Sequence, residues 1–85
     1  MNPKKVKKVK KEIEYKLGLY FGIKSGVIGI KDGTAYGTIE EVQADLQRDI
    51  IQDVNYLAIK YRQGKPEHQD FKGICIYYCN HLMNL

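Results

Sequence analysis

Four carboxylates, Glu41, Asp45, Asp49 and Asp53, recur at four-residue steps. Six lysines, Lys4, Lys5, Lys7, Lys8, Lys10 and Lys11, crowd the N-terminus. These two charge runs are the residues best placed to do chemistry. On a helix, side chains four apart are neighbours, so the carboxylates form a ladder whose like charges repel by a few tenths of a kcal/mol per step. Arg48 relieves part of that. Glu40 and Glu41 complement the positive end of a helix dipole, but Asp49 and Asp53 lie too far along for that reason to hold. Three readings stand side by side. The ladder is a solvated face, a dock for the Lys arm of the same or a second chain, or a dock for a basic partner protein. In the last case the carboxylates imitate nucleic-acid phosphates by electrostatic complementarity.

The lysines suit phosphate neutralisation, which carries no sequence information. No arginine lies among them, and arginine is the usual guanine contact. Aromatic residues able to stack on bases are Tyr15, Tyr20, Phe21, Tyr36, Tyr77 and Tyr78. Tyrosine is also an ordinary strand residue.

Other chemistry has weaker support. His68, Cys75, Cys79 and His81 give H-x6-C-x3-C-x-H, which is not a common zinc spacing. In a strand the two cysteines would lie roughly 13 Å apart, so two apolar thiols are the reading, with no metal or cofactor. No nucleophile–histidine elbow, Walker loop or H-E-x-x-H is present, so no catalytic residue is assigned and the protein is read as non-enzymatic. The turn Gly33–Thr38 precedes a helix start, where a small nucleotide or anion has a ready-made place, with Lys31 near.

Length and composition bound the rest. Eighty-five residues suit one small domain. The net charge of +4 hides a split: from Glu12 onward there are 8 basic and 10 acidic residues, so the body is −2. The chain reads as a basic arm (1–11) on an α+β domain (12–85). No apolar signal segment or membrane-length run occurs, and two cysteines are too few for a secreted disulfide scaffold. The expectation is a cytoplasmic protein with no membrane contact.

The elements that must position these residues follow from periodicity. Ile13, Tyr15, Leu17, Leu19, Phe21 and Ile23 alternate, which predicts a strand over 12–23. Val6, Val9, Ile13 and Leu17 instead follow a helical 3-4-4 spacing. Gly18 and Gly22 weigh against that helix. A seven-residue unit repeats from Gly22 to Ala35, with the turns Lys24-Ser25-Gly26 and Lys31-Asp32-Gly33. It reads as a small antiparallel meander, with a second strand over 27–31 and a short third over 34–36. Thr38 and Glu41 form a capping box. Ile39, Val42, Leu46, Ile50, Val54, Leu57 and Tyr61 then make a long amphipathic helix ending at Gly64. Residues 71–78 read as a last strand. The predicted fold is therefore α+β, β-β-(β)-α-β, with the helix across a sheet.

Toward its C-terminal end this helix is apolar nearly all round, through Ile51, Tyr56, Ala58 and Ile59. One sheet cannot cover both sides, so either a homodimer, which is the expected state, or the N-terminal segment folding over covers the second. The leading function is a small interaction protein, a regulator or inhibitor of phage-like size and composition. It docks by Glu41, Asp45, Asp49 and Asp53, with Tyr56 and Ile59 as apolar anchors. The alternative is nucleic-acid binding by the Lys arm and the sheet tyrosines.

Overall fold

The computed structural model describes residues 3–26, 38–66 and 70–83. They form three α-helices, α1 (Pro3–Lys24), α2 (Ile39–Lys60) and α3 (Phe71–Tyr77), and α3 runs on into a π-helical turn, Tyr78–Leu82. Among the described residues there is no strand. The fold is helical, and the α+β expectation is overturned.

The largest correction is α1. The segment read as a flexible arm and a first strand is one continuous helix of 22 residues. Its buried side chains are Val6, Ile13, Tyr20 and Ile23, with Val9 and Leu17 packed against the same core. That is the 3-4-4 stripe extended by a further turn. The alternating pattern splits instead: Tyr15 and Phe21, strand-mates of Ile13 in that reading, point to solvent. Burying each large side chain of the stripe contributes about 1.5–3 kcal/mol. This outweighs roughly 1 kcal/mol for each helical glycine.

The turn Lys24-Ser25-Gly26 ends this helix and makes no hairpin. Gly26 sits at φ +80°, and its N–H donates to the Ile23 carbonyl at 3.1 Å. The positive φ required of glycine is real, but it serves a helix cap. The second turn and the second and third strands, over 27–36, lie outside the described residues.

Of the capping box expected at the start of α2, the Thr38 half is present. Thr38 accepts from the Glu41 N–H at 3.2 Å. The end of α2 comes earlier than Gly64. Gln63 N–H donates to Ala58 O at 2.8 Å and Arg62 N–H to Ile59 O at 3.0 Å, which is a Schellman closure. Arg62 holds the left-handed position at φ 61°, a place usually left to glycine.

The last predicted strand is also helical. Asp70 caps α3, accepting from the Gly73 N–H at 3.0 Å. Ile74, Tyr78 and Leu82 line its buried side at four-residue steps. Met83 N–H reaches back five residues to the Tyr78 carbonyl at 3.1 Å, which is π geometry. Asp70 as cap and the 71-74-78-82 spacing were both visible in the sequence. The β-branched and aromatic composition of 71–78 obscured them.

Successive contacts show that α1 and α2 run antiparallel: Tyr20 meets Gln47, Lys16 meets Asp53, and Lys10 meets Tyr61. The core joins Val6 and Ile13 of α1, Ile50, Val54 and Leu57 of α2, and Ile74, Tyr78 and Leu82. Most of the apolar surface of α2 thus lies among its own chain's elements, and Ile59 stays 55% exposed. Ala58 is fully buried, and Ile51 and Tyr56 pack against the core. The N-terminal segment, folded over as α1, supplies that coverage.

One core group is poorly satisfied. The Tyr78 hydroxyl is buried and finds no hydrogen-bond partner among the described residues. Burial, helped by the charges of Glu14 and Cys79, pushes its pKa up from 10 to about 12. A buried unpaired hydroxyl costs on the order of 1–3 kcal/mol. Tyr78→Phe should therefore raise stability by about 1 kcal/mol, or Tm by about 4–8 °C. The sign with pH also follows. A folded pKa above the unfolded value contributes stability that is complete below pH 10 and is lost as pH rises toward 12. Thermal melts from pH 8 upward should show the wild type falling faster than Tyr78→Phe in that window. Equal melting at every pH would contradict the assignment.

Candidate functional site

The N-terminal half of α1 carries Lys4, Lys7, Lys8 and Lys11 in solvent, on the side away from buried Val6 and Ile13. Their spacing of 3, 1 and 3 keeps them on one face, about 10 Å long by helical rise. No acidic residue lies in the first turn. Positive charge at a helix N-terminus opposes the dipole, and lysines three and four apart repel. The sequence thus folds this surface at an electrostatic cost.

Lys5 and Lys10 lie to either side of that face and reach α2. The Lys5 ammonium stands 5.3 Å from the Tyr56 ring centre, and Lys60 stands 5.6 Å from the same ring. Lys10 stands 5.7 Å from the Tyr61 ring. Cation–π contacts of this kind contribute about 0.5–1 kcal/mol at exposed sites. Two of the six lysines therefore help hold α1 on α2, and Tyr56, expected as an apolar anchor, has its ring engaged by cations of its own chain.

Beyond Lys11 the same face continues through Tyr15 and Gly18, at spacings of 4 and 3. Tyr15 is 68% exposed, more than any other large hydrophobic side chain in the described residues. A Cβ placed on Gly18 would meet nothing within 4 Å. Packing therefore does not require a glycine there, yet it costs the helix about 1 kcal/mol relative to alanine. Sequence reasoning counted Gly18 against a helix and missed this. The spacing Lys4, Lys8, Lys11, Tyr15, Gly18 was the signal that would have found it.

The aromatic residues once grouped around a sheet are dispersed. Tyr20 packs on Phe71 at 4.6 Å and edge-on to Phe21 at 5.3 Å, and its hydroxyl accepts from the Gln47 amide at 2.7 Å. Tyr77 stacks on His81 at 4.5 Å and donates to Gln63 at 3.2 Å. Tyr78 is in the core. Tyr36 lies outside the described residues.

The acidic ladder is divided by the fold. Asp53 leaves the solvent face and takes the Lys16 ammonium at 2.8 Å, both groups about four-fifths covered. Burial works to lower the Lys16 pKa. The hydrogen bond to Asp53 and the charges of Asp53, Asp49 and Glu12 outweigh it, so the pKa is raised. The ladder is thus docked at one end by a lysine of its own chain, but by Lys16 rather than by the run 4–11. Asp45 meets Arg48 at 3.5 Å in solvent. Glu41 and Asp49 are exposed, and Ile59, 55% exposed, shares their side of α2.

Cys75 and Cys79 sit one helical turn apart, so the strand spacing of roughly 13 Å gives way to about 6 Å of rise. Cys75 is half-buried and Cys79 exposed. Burial, then the neighbouring Cys79, pushes the Cys75 thiol up, away from the reactive thiolate. Among the described residues no three His, Cys, Asp or Glu side chains converge as a metal site. His68 lies outside them. Of the turn proposed for an anion, Thr38 is described, and its hydroxyl is occupied as the helix cap.

A shallow cleft of about 490 Å³ lies between the end of α2 and α3, lined by Gln63, Lys65, Pro66, Gly73, Ile76, Tyr77 and His81. Its stacked Tyr77 and His81 are held by local hydrogen bonds, His81 Nδ1 lying 3.2 Å from the Tyr77 carbonyl. Among the described residues no helix is long and apolar enough to cross a membrane. No family model, no curated protein and no solved structure matches this chain.

Proposed function

We propose that this protein binds nucleic acid through its phosphates, with the lysine face of α1 as the contact surface. The observation that carries the reading is the placing of Lys4, Lys7, Lys8 and Lys11 together in solvent on a rigid helix, opposite the core stripe. A helix that gathers like charges at its own positive end is relieved by an anion. A row of ammonium groups tracks a phosphate backbone and releases its counterions. The absence of arginine from the face makes the binding sequence-tolerant.

Fluorescence anisotropy of labelled nucleic acid against the full chain tests this. Binding is expected at low salt, with log K falling linearly against log salt. Four phosphate contacts on a duplex give a slope of about −3.6. No binding at low salt overturns the reading.

A second reading, a non-enzymatic regulator docking a basic protein, is favoured by Glu41, Asp45, Asp49 and Ile59 sharing the solvent side of α2. It takes the lead if the anisotropy titration shows nothing. In that reading Asp45→Lys with Asp49→Lys abolishes partner binding while the helical circular dichroism is unchanged.

A further inference from the structure

We infer that the nucleic acid this face selects is single-stranded, with Tyr15 and Gly18 forming a shelf on which one unpaired base stacks. The inference rests on the lysine-face reading and goes beyond it.

The argument starts from which aromatic rings are still available. Tyr20 is engaged by Phe21, Phe71 and Gln47. Tyr56 and Tyr61 lie under lysine ammonium groups, and Tyr77 stacks on His81. Tyr78 is buried. Among the described residues no ring, cation or hydrogen-bonding group contacts the Tyr15 side chain. Nevertheless it projects into water at 68% exposure. It does so four residues beyond Lys11, in line with Lys4 and Lys8, rather than at an arbitrary point on the surface.

The electrostatics separate two zones on this face. From Lys4 to Lys11 the helix is wholly basic, which suits phosphates. Glu12 and Glu14 flank the next turn, both exposed, and a phosphate is repelled there. A base has no charge and meets no such penalty. The strand therefore lays its backbone along the lysines and turns a base onto the next turn. Tyr15 lies about 6 Å along the axis from Lys11, so a base carried by a bound phosphate reaches it.

Gly18 completes the shelf. It stands one turn past Tyr15 on the same side, and the space above its Cα is open. A flat base lying against the ring can approach the helix backbone there, where any larger side chain would lift it off. This accounts for a mid-helix glycine that internal packing leaves unexplained. A duplex keeps its bases paired and stacked on one another, so it presents no face to the shelf. Aromatic stacking is sequence-tolerant, in keeping with a lysine-only track.

The test is anisotropy with labelled oligo(dT), oligo(U) and a DNA duplex of equal length, at one low salt concentration. The wild type should bind the single strands more tightly than the duplex. Tyr15→Ala should weaken single-strand binding by roughly 5- to 150-fold, the range of one lost stacking contact, and leave the duplex unchanged. Tyr15→Phe should keep full affinity, because the ring rather than the hydroxyl acts. Gly18→Gln should raise Tm, being a better helix former, yet lower single-strand affinity. That opposite movement is not produced by a structural role. Comparison of oligo(dT) with oligo(U) distinguishes a DNA from an RNA ligand. If Tyr15→Ala changes single-strand affinity less than twofold, or weakens strand and duplex alike, the shelf is overturned and the lysine face stands. If the wild type binds none of the probes, both readings fall together.

Discussion

Changing Lys4, Lys7, Lys8 and Lys11 together to glutamine should reduce duplex affinity at least 100-fold at low salt and flatten its salt dependence. Each phosphate contact on a duplex contributes about 0.9 to the slope of log K against log salt. Losing four removes about 3.6 from that slope. Between about 50 and 200 mM salt the wild type should lose on the order of 100-fold in affinity, and the variant should lose far less. Lys5 and Lys10 are kept because their ammonium groups stand over Tyr56 and Tyr61 and help to seat α1. The substitutions should not unfold the protein. Val6, Val9 and Ile13 carry the packing of this half of the helix, and none is touched. Removing four like charges from a positive helix end should instead raise Tm slightly. A variant that binds as the wild type does, with the same slope, would remove the lysine face from the function.

Ile13→Ala should lower the unfolding free energy by about 2–5 kcal/mol, measured by urea denaturation. Ile13 has no exposure, and its side chain lies in the cluster that joins all three helices. At roughly 0.05–0.15 kcal/mol per residue, a chain of this length holds about 4–13 kcal/mol in all, so the variant should lose a large share of its stability. The informative comparison is Tyr15→Ala. In a strand, Ile13 and Tyr15 share a face and would be damaged alike. On α1 they lie on different sides, one fully buried and one 68% exposed. Tyr15→Ala should therefore move stability by no more than about 0.5 kcal/mol. Equal, large losses at both positions would refute the helical register that places Tyr15 beside the lysines. The same comparison shows that the loss of single-strand affinity in Tyr15→Ala does not come from unfolding.

Two residues on the acidic ladder show why burial changes a functional reading. Four-residue steps drift by about 40° each around a helix, so from Glu41 to Asp53 the ladder moves from the solvent side toward the edge of the buried stripe. In the fold Glu41 stays in solvent and Asp53 bonds Lys16 at 2.8 Å. Spacing does not name the partner, because Lys16 and Asp53 are 37 positions apart and meet only when α1 lies antiparallel to α2. The same applies to Tyr56. Its position beside Ile59 was legible, but the lysines over its ring come from α1 and from its own last turn.

What the sequence determined by itself is local. The Thr38 cap and the long stripe of α2 depend on residues a few positions apart, and both are as the spacing implied. Gly26 too was marked by the chain as a residue of positive φ. Whether Ile13 to Ile23 makes a strand or a helix was beyond local information, because both periods fit the same apolar residues. Tertiary packing decided it. An antiparallel helix can place Val6, Ile13, Tyr20 and Ile23 together against α2, whereas a strand would put Val6 and Tyr20 on the face opposite Ile13 and Ile23. The same packing turned 71–82 into a helix that closes the core with Ile74, Tyr78 and Leu82. It also placed the lysines, Tyr15 and Gly18 on one outer face, because burial of one side of α1 leaves the other to solvent.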